Sequence, residues 1–118
     1  MPQTDAARYI ARILELYRQT PGTSGRVRPA DRRLAATLAS RHVPLGIVET
    51  ALLLAVARRS FRPTGAVPLP AIASLHYFMP LVDELLAAPP DTTYLDHLRQ
   101  RLAPLAPRLV ALVDHRLT

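Results

Sequence analysis

Val43–Arg62 reads VPLGIVETALLLAVARRSFR. Val43-Pro44 is a turn-and-start signal, and from Ala51 to Ala57 there is no polar residue before Arg58-Arg59 ends the run. A helix that is apolar on every side must be surrounded by other helices or by lipid. From Val43 to Ala57 such a helix spans only ~22 Å, short of the ~30 Å hydrocarbon core of a bilayer. The stretch therefore predicts the buried central helix, about residues 44–59, of a small helical domain.

The rest of the chain fits that frame. With 118 residues, of which 49% are hydrophobic, one domain with a real core is expected. There is no cysteine, which excludes disulfides, thiolate metal sites and cysteine nucleophiles and agrees with a cytoplasmic setting. The first ten residues, MPQTDAARYI, lack the apolar stretch of a signal peptide, and no transmembrane span or membrane role is expected.

Working outward toward the N-terminus, His42-Val43 is a short corner. Before it, Pro29 suits the first turn of a helix from Ala30 to about Arg41, with Leu34, Ala35, Leu38 and Ala39 inward and Arg32, Arg33 and Arg41 off that stripe. Pro21 to Pro29 is a basic loop. Ahead of it, Thr4-Asp5 caps a helix running to about Gln19, with Ala6, Tyr9, Ile10, Ile13, Leu14 and Tyr17 at helical spacing. Toward the C-terminus, the proline-rich connection Phe61 to Pro70 precedes a helical segment marked by Ile72, Leu75, Met79, Val82, Leu85 and Leu86, which Pro80 should kink or split. Asp91 caps a further helix from Thr92 to about Ala103, with Tyr94, Leu95, Leu98 and Leu102 inward. A last helix, framed by Pro104 and Pro107, turns Leu109, Leu112 and Val113 inward. Period-two alternation is absent. The expected fold is all-α, a compact orthogonal bundle of five or six short helices.

Charge is distributed unevenly. All fifteen basic residues are arginine, and guanidinium groups suit bidentate contacts with phosphate or carboxylate. Between Thr20 and Arg62 lie Arg26, Arg28, Arg32, Arg33, Arg41, Arg58, Arg59 and Arg62 against two acids, Asp31 and Glu49. That stretch carries the whole formal net charge of +6. Such asymmetry points to an anionic partner.

Catalytic and metal patterns do not emerge. His42, His76, His97 and His115 make no H-E-x-x-H pair, Asp83-Glu84 and Asp96-His97 are adjacent and diverge on a helix, and no serine sits in a G-x-S-x-G elbow. His76 beside Tyr77 reads as a partly buried histidine. No enzyme, metal or cofactor is expected. A DNA-binding helix-turn-helix across the His42-Val43 corner fits poorly. His42 stands where glycine is usual, and the following helix is too apolar for a groove, where polar side chains must reach base edges. Gly22-Thr-Ser-Gly25 followed by arginine could cradle a phosphate but reads better as an ordinary turn, lacking the full P-loop pattern.

Tyr9-Ile-Ala-Arg-Ile-Leu-Glu-Leu-Tyr17 resembles the Y-I-x-x-I-L-x-x-W segment of the DnaD-like helical domain of bacterial replication-initiation and primosome proteins. Here the segment stands early in the chain and ends in tyrosine. In that family it contributes to binding single-stranded DNA. The resemblance implies that Tyr9, Ile13 and Tyr17 contact nucleic acid and that Arg12 reaches phosphate. Together, charge and resemblance predict a nucleic-acid-binding accessory protein of replication or a mobile element, gripping phosphates through the arginines of 26–62. The alternative is a helical interaction module that docks an acidic protein or a second copy of itself.

Overall fold

The computed structural model describes residues 4–113, so His115 lies outside the described residues. Six helices follow in order: α1 Asp5–Gln19, α2 Pro29–Ser40, α3 Leu45–Ser60, α4 Met79–Ala87, α5 Thr92–Leu102 and α6 Pro107–Val113. A 3₁₀ helix, Leu75–Phe78, leads into α4. Among the described residues the only β pairing is one isolated parallel bridge between Thr23 and Ile72.

α3 is the centre. Every residue from Val48 to Val56 is buried, and α1, α4, α5 and α6 all pack against it. No helix among the described residues is long and apolar enough to cross a membrane. Burial on all sides explains why its sequence has no polar stripe. Its last turn carries Arg58 and Arg59, whose charge suits the carbonyl end of the helix dipole. α2 stands apart from this packing and lies chiefly on α1 and the 3₁₀ helix.

Local chemistry sets the helix ends. The Thr4 hydroxyl accepts from the Ala7 N–H at 3.0 Å to open α1, and the Asp91 carboxylate accepts from the Tyr94 N–H at 2.8 Å to open α5. Both satisfy N–H groups that have no partner within the helix. α2 closes in a Schellman arrangement. The Val43 N–H donates to the Leu38 carbonyl, the His42 N–H donates to the Ala39 carbonyl, and buried Val43 and Leu38 are the accompanying apolar pair. The residue that must turn left-handed in this motif is usually glycine; here it is His42, at φ 56°. Pro44 follows and cannot continue the helix. The Tyr9 hydroxyl donates to the Val43 carbonyl at 2.7 Å and so ties α1 to the corner.

Three expectations need correction. Ile72 does not belong to a helical segment; it is extended, and its N–H donates to the Gly22 carbonyl at 2.7 Å. Pro80, by contrast, splits the segment, as one of its two expected effects, because it falls in the first turn of α4, where its missing N–H is no loss. Tyr94 points outward, at 45% exposure, since α5 buries only the narrow stripe of Leu98 and Leu102. His76 is likewise exposed: the 3₁₀ turn directs Leu75 and Phe78 inward, three residues apart, and leaves the residues between them outside.

Candidate nucleic-acid interface

α2 has two unlike faces. Asp31, Leu34, Ala35 and Leu38 are buried, while Arg32, Arg33, Ala36, Thr37 and Ser40 are exposed. At 3.6 residues per turn these five lie on one side of the helix. Arg28 is its N-cap, Arg41 its C-cap, and Arg26 stands in the loop just before; all three are exposed. Among the described residues the guanidiniums of Arg26, Arg28, Arg32, Arg33 and Arg41 make no hydrogen bond or ion pair. Between Arg33 and Arg41 the exposed residues are small, so a bulky chain can approach the helix closely.

The two acids of this stretch do not oppose those arginines on the surface. Asp31 is 0% exposed and Glu49 is 1% exposed. Asp31 has a structural duty. One carboxylate oxygen accepts from the Arg28 N–H at 2.9 Å, and the other accepts from the Leu75 N–H at 2.9 Å. The first bond is the reach-back half of a capping box, with the acid three residues after the cap. The second pins the 3₁₀ helix to the start of α2. Proximity of Asp31 also bears on Tyr17: burial first, and then this carboxylate, push the Tyr17 phenol above tyrosine's ordinary value. Burial alone raises that of Tyr9. Both rings are therefore neutral near neutral pH.

The glycine loop is a turn and not a phosphate cradle. The Thr23 N–H donates to the Thr20 carbonyl, Ser24 to the Ile72 carbonyl, Gly25 to the Thr23 hydroxyl and Arg26 to the Ser24 hydroxyl. An anion at this loop would find those donors engaged, and the N-terminus of α2 already holds the Asp31 carboxylate.

The remaining arginines of the basic stretch gather at the other end of α3. A Cβ on Gly22 (φ 94°) would stand 3.3 Å from the Arg59 Nε, so α3 ends beside the start of the basic loop. There Arg59 donates to the Tyr77 hydroxyl at 3.3 Å and to the Pro70 carbonyl at 2.7 Å. Arg62 donates to the Val67 carbonyl at 2.8 Å, and Arg58 pairs with Glu84 at 3.3 Å. These three are bound into the protein's own surface, unlike the five along α2.

The segment from Tyr9 to Tyr17 is part of the core. Ile13 and Tyr17 are both 0% exposed, and Tyr17 meets Phe78 edge-on at 6.1 Å. Tyr9 is partly buried. Arg12 donates to the Leu112 carbonyl and so joins α1 to α6. Ile13 and Tyr17 cannot touch a ligand in this fold, so the segment offers no stacking platform.

A groove of about 490 Å³ at the α2–α3 corner is lined by Asp5, Tyr9, His42 and Pro44, among others. The Tyr9 hydroxyl there is already engaged with Val43. Among the described residues no three histidine, aspartate or glutamate side chains come together as metal ligands. No family model, curated protein or solved structure matches the chain.

Proposed function

We propose that this chain is a non-enzymatic nucleic-acid-binding accessory protein that grips the phosphate backbone through Arg26, Arg28, Arg32, Arg33 and Arg41. The observation that carries the reading is the contrast within one stretch. These five guanidiniums are exposed and unpaired among the described residues, while Asp31 and Glu49 are both buried. An unopposed arginine row along a helix of ~18 Å is the electrostatic footprint of a polyanion site. Each arginine that neutralises a phosphate releases condensed counterions, and that release supplies most of the affinity for any sequence. α2 offers no large polar residue between Arg33 and Arg41 to read base edges, so the contacts position the nucleic acid without specifying its sequence. A cytoplasmic accessory role in replication or in a mobile element fits such binding.

The test is fluorescence anisotropy of a labelled random-sequence duplex at low salt, with wild-type protein and with Arg32→Gln/Arg33→Gln. Wild type should bind, and the double variant should bind more weakly to every sequence alike. Equal binding by the two proteins would remove α2 from the interface, and no binding by wild type would end the reading.

A further inference from the structure

A second surface differs in chemistry from the arginine row. Phe61 and Tyr77 are each 45% exposed, Leu69 is 42% exposed and Val67 is 78% exposed. Phe61, Val67 and Leu69 belong to the connection between α3 and the 3₁₀ helix, and Tyr77 to the 3₁₀ helix itself. They are held together by the arginines at the end of α3. Arg62, which follows Phe61 in the chain, bonds the Val67 carbonyl, and Arg59 bonds the Pro70 carbonyl next to Leu69 while its guanidinium lies 5.6 Å from the centroid of the Tyr77 ring. Arg101 of α5 lies over Phe61 at 4.2 Å. Pro63, Pro68 and Pro70 stiffen the connection further. The result is an exposed apolar patch braced by these contacts and rimmed by Arg58, Arg59, Arg62 and Arg101; among the described residues Glu84 is the acid paired with that rim.

We propose that this patch docks an acidic, apolar-rich peptide segment of a partner protein. Aromatic residues and arginine are the types enriched at protein interfaces, and lysine, depleted there, is absent here. The rim's positive charge, and the guanidinium N–H groups not spent on the Val67 and Pro70 carbonyls, complement carboxylates, while Val67 and Leu69 receive apolar side chains. A nucleic acid fits this patch less well than it fits α2. Val67 and Leu69 have no π face on which a base could stack, and one face of Phe61 is already covered by Arg101. The patch is held in shape before any partner arrives, which lowers the entropy lost on binding.

The experiment selects phage-displayed random peptides on the immobilised full chain, then measures synthetic copies of the enriched sequences by anisotropy. Enriched peptides should combine aspartate or glutamate with leucine, phenylalanine or tryptophan. Val67→Asp should weaken them about tenfold or more, the scale of a central interface residue. Its melting temperature should match wild type, because Val67 is largely outside the core. Arg32→Gln/Arg33→Gln should leave peptide affinity unchanged. The proposal is overturned if no peptide is enriched, if the enriched peptides lack acids, or if Val67→Asp binds them as wild type does. It is equally overturned if what Val67→Asp abolishes is instead binding of a single-stranded oligonucleotide or a concentration-dependent dimer.

Discussion

Asp31 and His42 sit at opposite ends of α2 and show how single side chains fix where that helix lies. Asp31 accepts from the N–H groups of Arg28 and Leu75, two donors on different elements. Asp31→Ala leaves both without this acceptor, and the Leu75 donor is buried. The expected loss is about 3 kcal/mol of folding stability, read from urea unfolding. Asp31→Asn keeps one acceptor oxygen and should recover only part of it. Wild-type stability in Asp31→Ala would show that water replaces the carboxylate. His42 holds a left-handed backbone without glycine's freedom. Relieving that conformation in His42→Gly should raise stability by about 1 kcal/mol, whereas an ordinary surface histidine replaced by glycine would lose stability. A drop in the urea midpoint of His42→Gly would refute the strain.

At the scale of elements, α3 is the least replaceable part. Leu53 is 1% exposed at its middle. Leu53→Asp buries a charge with no place for water, at a cost of several kcal/mol against a typical total of ~5–15 kcal/mol. Circular dichroism should show loss of the cooperative helical melt; a wild-type melt would mean that α3 is not enclosed. The helices themselves were legible in the sequence because their signals are local. Thr4 and Asp91 mark starts, Pro44 marks the corner, and the unbroken apolar run marks the centre. What could not be read depended on distant partners. Nothing near Asp31 announces Leu75, although an acid at the third helical position was a signal for the bond to Arg28. Tyr94 looked apolar enough to face inward, but only the narrow packing of α5 decides its direction. The candidate site was half legible. The arginine excess was plain, yet which guanidiniums are free depends on the Pro70 and Val67 carbonyls that engage Arg59 and Arg62. The aromatic pattern of α1 reads the same whether it faces a ligand or a core, and here Ile13 and Tyr17 face the core.

At the scale of the whole molecule, the formal net charge of +6 resolves into two basic surfaces of different character. One is the row of five arginines along α2 and its flanks, unpaired among the described residues. The other is the apolar patch at the end of α3, whose arginines also brace the loop. The two meet where the end of α3 lies beside the start of the basic loop. The central claim is that the α2 row binds phosphate, and counterion release makes it measurable. Five phosphate contacts predict a slope of log affinity against log salt of roughly −4 to −5 for duplex DNA. In Arg32→Gln/Arg33→Gln the slope should flatten by about 2, with the melting temperature nearly unchanged, since exposed charges add little to stability. The salt titration of duplex binding, with wild type and this double variant side by side, is the most direct measurement. A steep wild-type slope that flattens in the variant is the predicted result; a slope near zero, or one the variant leaves unchanged, would contradict the account.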